Sequence, residues 1–378
     1  MRDASMIIEM QLDGRSSRFV LGPLAGLELP RYVPAPPPVY VVDRKVAHLH
    51  GAWLDGIQAG CAHDPGRVLV IDGGESAKTP GRLLEVWDWL AERRLPRDGT
   101  LVGVGGGAVL DLAGFAASTW NRGVGFVSIP TTLLAMVDAA IGGKTAVNAG
   151  GLKNPVGTFH PAVAVLADCG FLATLPRRWW RDGMAELVKT AIIGEPRLWA
   201  DLYTHREALH DLLGEGEPDE AIPGILGALP WRDWVGRAAR VKADVVTRDF
   251  REAGPRRALN LGHTLGHVLE AWSARTERPL GHGEAVSVGM AVVFRVAVER
   301  GRCALPLALQ VIEVLESCGL PTTWSAPPRD AIERMLAGDK KNARSGLRWV
   351  LPERVGSLDL DARIEVDGCS VRATSPGE

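Results

Sequence analysis

The first half of the chain alternates between continuous apolar runs and stretches of helical spacing. VYVVD (39–43) and VLVID (68–72) each read as a strand closed by an acid, and LVGVGGG (101–107) as a third strand running into glycines. GRLLEVWDWLAERR (81–94) and AVLDLAGFAASTW (108–120) then set apolar residues at helical intervals. Strand and helix in repetition predict a parallel sheet with helices on both faces. After about residue 170 the pattern changes. MAELVKTAIIG, LWADLYTHREALHDLL, WVGRAARVKADVV, LGHTLGHVLEAWSA, AVSVGMAVVFRVAVERG and LALQVIEVLESCG are all apolar at helical spacing, with Pro- and Gly-rich punctuation such as GEGEPDEAIPGILGALP (214–230) between them. The expectation is an α/β nucleotide-binding domain over residues 1–170 and an all-α domain over 171–378.

Composition narrows the class without changing this picture. With 378 residues, 46% hydrophobic and 23% charged, the chain has a globular make-up and length enough for two domains. Its 43 basic and 45 acidic residues leave a net charge of −2, so no global positive field draws it to nucleic acid or anionic lipid. The Cys residues, at 61, 169, 303, 318 and 369, are odd in number and form no CxxC pair, which fits a reduced cytoplasmic setting. MRDASMIIEMQLDG lacks the basic and apolar segments of a signal peptide, and no apolar run reaches the ~18 residues of a spanning helix, so neither secretion nor membrane insertion is expected. The 12 Trp are scattered and unaccompanied by basic runs, which speaks for packing rather than base stacking.

The basic residues are 8 Lys against 35 Arg, so each Lys invites a question, because its compact ammonium is not replaceable by guanidinium. Of five Asn, Asn148, Asn154, Asn260 and Asn342 lie within six residues of a Lys or of a His pair. Such clustering suggests a site that holds an anion at several points.

Gly105, Gly106 and Gly107 stand between a strand and a helix, where backbone N–H groups can cradle a phosphate. The run is not GxGxxG, and a tight turn explains it equally well by itself. Glu75 and Lys78 in DGGESAK, the adjacent hydroxyls of IPTTLLAMVD, and Asp43 at a strand end, suited to ribose hydroxyls, together predict a nicotinamide cofactor.

In LNLGHTLGHVLE, His263 and His267 are four apart and share a helix face; His282 sits in LGHGEA, and MAELVK adds Glu186 with Lys189 one turn on. Two His and one carboxylate leave coordination positions open, as a catalytic Zn²⁺ site does. Four candidates for three ligands leave one His for another task. Around them stand Lys144, Asn154, Arg122, Lys242, Arg256, Asn260, Lys340 and Lys341, and this density of cations points to a substrate with both a carboxylate and a phosphate.

The motifs GGGAVLDLAGFAASTWNRG, IPTTLLAMVDAAIGGKTAVN, LATLPRRWWRDGMAELVK, DFREAGPRRALNLGHTLGHVLE, LGHGEAVSVGM and DKKNARSGLRWVLP follow one another in this order. On them the chain, from about residue 42 to 356, resembles the 3-dehydroquinate synthases of the sugar-phosphate cyclase superfamily. The resemblance implies an N-terminal NAD-binding α/β domain and a C-terminal helical domain. It implies Zn²⁺, with Co²⁺ as an alternative ion, held by Glu186, His263 and His282, and His267 left for proton transfer. Asp138, Lys144, Asn154, Lys189, Lys242, Arg256, Asn260 and Lys341 would bind substrate, with Arg122 reaching its phosphate. NAD would meet Asp43, Glu75, Lys78, Gly106, Gly107, Asp111, Thr131, Thr132, Lys153 and Thr174.

The implied reaction turns 3-deoxy-D-arabino-heptulosonate 7-phosphate into 3-dehydroquinate and phosphate. It runs through transient oxidation, phosphate elimination, re-reduction and intramolecular aldol closure. A homodimer is also implied. Against the family pattern the chain departs at AGGL (149–152), at TFHPAV (158–163) and at Phe250. The alternatives are a secondary-metabolism cyclase making an amino-dehydroquinate or a valiolone-type cyclitol, and a metal-dependent alcohol or glycerol dehydrogenase, whose metal set usually begins with Asp where this chain has Glu186.

Overall fold

The computed structural model describes residues 5–24, 32, 37–60, 65–324 and 348–363; Lys340 and Lys341 lie outside them. Strands β1 (Met6–Leu12) and β2 (Arg15–Leu21) form a hairpin whose two turn residues, Asp13 and Gly14, both have positive φ, the I′ turn that matches strand twist. Then come β3 (Val39–Asp43), helices α1 (Arg44–Leu49) and α2 (Gly51–Gly60), β4 (Val68–Ile71), α3 (Pro80–Glu92), β5 (Thr100–Gly105), α4 (Gly107–Thr119) and β6 (Gly125–Pro130). A second hairpin, β7 (Lys144–Ala149) and β8 (Leu152–Phe159), precedes β9 (Ala164–Ala167).

The main sheet has the order β1-β2-β9-β6-β5-β3-β4, parallel throughout except for β1. The parallel sheet read from continuous apolar runs is therefore present: β5 is buried along its whole length. From β3 the chain passes outward to β4 and returns to pair β5 on the other side of β3. That reversal opens a crevice at the carboxyl ends of β3 and β5, the usual ligand position in such sheets.

Helices α5 (Arg177–Gly194), α6 (Pro196–Thr204) and α7 (Arg206–Leu209) follow, then α8 (Ile225–Ala228), α9 (Trp231–Arg248), α10 (His263–Ser273), α11 (His282–Glu299) and α12 (Leu305–Ser317). This part is helical, with one addition that periodicity does not reveal: an antiparallel hairpin of β10 (Arg348–Arg354) and β11 (Ser357–Arg363), bulged at two places. By their contacts the described residues divide into two compact units, one within Met1–Leu175 and Ala221–Arg251, the other within Pro176–Glu220 and Glu252–Glu378. Helix α9 is thus grouped with the sheet rather than with the C-terminal helices. Its Gly236 leaves room for Met6 and Leu21: a Cβ there would stand 2.7 Å from the Met6 sulfur. Among the described residues no helix is long and apolar enough to cross a membrane.

Candidate active site

In the first unit the carboxyl edge of the sheet collects most of the residues expected to meet a cofactor. Asp43 ends β3 and caps α1, its Oδ1 accepting the Lys45 N–H at 2.8 Å; burial raises its pKa. Gly106 precedes α4 without any side-chain cap, so the first N–H groups of that helix stay available to an anion. A side chain at either glycine would be a tight fit. A Cβ on Gly106 would stand 3.2 Å from Thr132 Cγ2, and one on Gly107 would stand 3.1 Å from Ala139 Cβ.

One turn into α4, Asp111 accepts from the buried Lys78 ammonium at 2.6 Å, with Glu75 at 3.7 Å. Burial pushes the Asp111 carboxyl up to about 6 against the pull of Lys78. Thr131 N–H donates to Gly105 O at 3.0 Å and Thr132 Oγ1 accepts from Ala135 N at 3.2 Å, so the two hydroxyl residues fix the turn after β6. Thr174 follows β9 and shares a 2.8 Å hydrogen bond with His50 Nε2.

The substrate candidates of this unit lie next to the same edge, with one exception. Asp138 sits in the π-helical turn 135–139 and forms an ion pair with the nearly buried Lys242 of α9. Lys144 and Asn154 are exposed on the β7–β8 hairpin, beside the cofactor candidate Lys153. Arg122 is different. It follows α4 and precedes β6, at the amino end of the sheet, one full length of α4 away, roughly 20 Å for 13 residues.

Sequence reasoning noticed Asn148 but gave it no task. Its Nδ2 donates to Glu75 Oε1, its Oδ1 accepts from Asn154 N, and its own N–H donates to Lys78 O, each at 2.8 Å. One residue, through its side chain and its backbone N–H, thereby ties the hairpin to two cofactor candidates. The signal was available only as an Asn lying near two Lys.

The second unit brings Glu186, His263 and His282 together, with one ligand atom of each within 4.8 Å of the others. Glu186 and Lys189 are one turn apart on α5, His263 opens α10 and His282 opens α11. Glu186 is fully buried, and its oxygens make no hydrogen bond of normal geometry. Oε2 faces the buried Lys189 ammonium, while Oε1 faces Nε2 of His282 at 3.3 Å and of His263 at 3.5 Å. Burial alone raises the Glu186 pKa, but Lys189 and then the two His hold it well below the usual range.

The ring orientations decide what this set fits. His263 Nδ1 lies 3.2 Å from Leu261 O and His282 Nδ1 lies 3.4 Å from Glu270 Oε2. In the tautomers that carry the proton on Nδ1, facing these oxygens, both Nε2 lone pairs face a carboxylate oxygen, a repulsion that a cation among the three atoms relieves. Burial, with Lys189, lowers the His263 pKa to about 3, so this ring is a neutral donor. One carboxylate oxygen and two imidazole nitrogens with open positions suit a catalytic Zn²⁺.

His267, by contrast, is exposed, its ring edge-on to His263 at 5.3 Å between centroids. Arg256 is buried, and Asn260 Nδ2 donates to Glu252 Oε1 at 3.2 Å. Lys341 falls outside the described residues.

Two family models match in succession, 3-dehydroquinate synthase N-terminal over residues 68–182 and 3-dehydroquinate synthase C-terminal over 183–342. The 3-dehydroquinate synthase of Synechococcus sp. (strain CC9605) is 42% identical over 308 residues, 81% of this chain and 79% of that protein. The chain belongs to the 3-dehydroquinate synthase family. Its likeness to the family member of Thermosynechococcus vestitus, 37% identical, extends over 93% of both chains. Among solved structures, 2-epi-5-epi-valiolone synthase from Streptomyces hygroscopicus subsp. jinggangensis 5008, with NAD⁺ and Zn²⁺ bound, superposes with a TM-score of 0.79. It is 31% identical and the match covers 97% of this chain and 96% of that one.

Two of the segments in which the chain departs from the family pattern touch each other. Phe159 of TFHPAV packs on Phe250 at 5.3 Å between ring centroids, and the Arg251 guanidinium lies over both rings. The third departure, AGGL, is a two-residue hairpin turn in which Gly150 and Gly151 both have positive φ.

Proposed function

We propose that the protein converts 3-deoxy-D-arabino-heptulosonate 7-phosphate into 3-dehydroquinate and inorganic phosphate, with NAD⁺ restored in every turnover and a bound Zn²⁺, or Co²⁺ in its place. The observation that carries the reading is the buried Glu186 carboxylate faced by the Nε2 atoms of His263 and His282, in a chain of this family. The first unit supplies the cofactor site and the second the metal ligands.

Glu186, His263 and His282 would hold the metal, which would supply Lewis acidity toward a substrate hydroxyl, and the first unit would hold NAD⁺, which would supply reversible hydride transfer. The rest is the work of the chain. Asp43 offers a carboxylate to ribose hydroxyls, and the uncapped start of α4 behind Gly106 takes the pyrophosphate. Lys189 keeps Glu186 ionised and gives the second unit a buried cation. Lys144, Lys153 and Asn154 are displayed on the hairpin, and Lys242 is held in place by Asp138. Lys144, Asn154 and Lys242 are the first unit's candidates, and Arg256 the second unit's, for binding the substrate's carboxylate and phosphate, and fixed cations of this kind give preorganised electrostatic stabilisation as negative charge develops.

Oxidation to a ketone acidifies the adjacent C–H. Loss of that proton expels phosphate, and the exposed His267 is the residue proposed to carry the proton. Ring opening and aldol closure need no further redox partner, so electrons balance within one turnover.

The likeness to the solved 2-epi-5-epi-valiolone synthase favours a second reading, a valiolone-type cyclase, for which we take sedoheptulose 7-phosphate as the substrate to test. That substrate has no carboxylate, whereas this chain keeps Lys242 and Arg256. Incubating the Zn²⁺-loaded protein and NAD⁺ with each substrate, while measuring phosphate and carbocycle together, separates the two. Turnover of the keto-acid phosphate is expected. Turnover of sedoheptulose 7-phosphate or of an amino analogue alone would move the protein into secondary metabolism.

A further inference from the structure

Helix α11 begins at His282 with a glycine, Gly281, in the capping position, so no side chain of its own caps it. The leading N–H groups of such a helix need acceptors. One comes from within: Glu284 Oε2 accepts from Gly281 N at 2.7 Å. The other comes from a different helix. Asp182 on α5, almost completely buried, accepts from Gly283 N at 2.8 Å. Asp182 is four residues before Glu186, so both carboxylates project from one face of α5, a turn apart. The packing there is close, since a Cβ on Gly283 would stand 2.4 Å from Asp182 Cα and one on Gly281 would stand 3.0 Å from Asp182 Oδ1.

We infer that Asp182 is a positioning residue for the metal site: it fastens the first turn of α11 to α5 and so sets His282 Nε2 at its distance from Glu186. The reasoning is geometric. His282 is the first residue of the helix whose second residue is tied to Asp182, and Glu186 extends from the same face that supplies the tie. Without the tie, α11 can shift along α5 while Glu186 stays with its own helix, and the two ligands separate. Glu270 directs the His282 ring through Nδ1 but sits on α10, so it orients the ring without fixing where the helix starts. The inference rests on the reading of Glu186, His263 and His282 as metal ligands.

The test measures Zn²⁺ dissociation constants of the full-length protein by competition with a chromophoric chelator, for wild type, Asp182→Ala and Asp182→Asn. It adds melting temperatures with and without Zn²⁺. Loss of a group supporting a ligand typically weakens metal binding 10–100-fold, and that is expected for Asp182→Ala. Asp182→Asn retains an acceptor oxygen for Gly283 N and should stay within about threefold of wild type, the size expected of a small change in one hydrogen bond. If Asp182→Ala does not fold, Asp182→Glu serves, because it moves the acceptor by one methylene and should show the same loss.

A merely structural Asp182 would lower the melting temperature equally with and without Zn²⁺ and leave the dissociation constant unchanged; that result overturns the inference. Wild type failing to bind Zn²⁺ would overturn the metal reading itself, and the inference with it, a result distinct from selective loss in one variant.

Discussion

At the scale of single residues, the side chains around Lys78 make two predictions. Asp111 keeps its proton in the folded protein up to about pH 6, whereas an unfolded Asp releases it near 4. Between those values the native state holds more protons than the unfolded one, so stability contributed by Asp111 falls as pH rises through this window and is level above it. The unfolding free energy of wild type minus that of Asp111→Asn should therefore decline from pH 4 to about 6.5; a flat difference would refute the assignment. Asn148→Ala removes the hydrogen bond that ties the hairpin to Glu75 and the one that Asn148 Oδ1 accepts from Asn154 N within the hairpin. A bond to a charged group contributes about 1.5–3 kcal/mol, so the KM for NAD⁺ should rise roughly tenfold or more. Lys78 was legible in the sequence because Lys is rare there. The role of Asn148 was not, because its partner Glu75 is 73 residues away and only the fold joins them. The contact between the departing segment TFHPAV and Phe250 was hidden for the same reason, since Phe159 and Phe250 meet only in space.

At the scale of elements, the proposed metal ligands depend on how closely α10 and α11 approach. A Cβ on Gly289 of α11 would stand 1.9 Å from Gly262 O, the residue preceding α10. Gly289→Ala must push the two helices apart, at a cost of about 1–3 kcal/mol, or a fall of several degrees in melting temperature. Zn²⁺ binding should weaken with it, because His263 and His282 open these two helices. Unchanged Zn²⁺ affinity in a folded Gly289→Ala protein would separate the ligand geometry from this crossing. The helices themselves were plain in the spacing of apolar residues. Helix α9 was equally plain as a helix, but periodicity says which face is buried and not against what, so its grouping with the sheet appears only in the structure. The β10–β11 hairpin stayed hidden because its strands are bulged and its second strand is only half-buried, which blurs the two-residue alternation.

At the scale of the whole molecule, binding energy for cofactor and metal adds to folding energy, since neither site exists in the unfolded chain. Zn²⁺ and NAD⁺ at a hundredfold excess over their dissociation constants should each stabilise by about 2.7 kcal/mol, and chelation should reverse the first effect. Glu186→Gln should abolish the Zn²⁺ shift while preserving the NAD⁺ shift, because the candidate cofactor residues lie in the other unit. Loss of both shifts would show that the two sites are not separable in this way.

The central claim is that oxidation is transient and electrons return to the same carbon. The most direct measurement uses substrate deuterated at the carbon whose hydroxyl is oxidised, with Zn²⁺-loaded protein and sub-stoichiometric NAD⁺ in ordinary water. The account predicts many turnovers per NAD⁺, one phosphate per dehydroquinate, no accumulating reduced nicotinamide, and deuterium retained in the product. Reduced nicotinamide rising in step with product, or product whose deuterium has been replaced by solvent hydrogen, would contradict it.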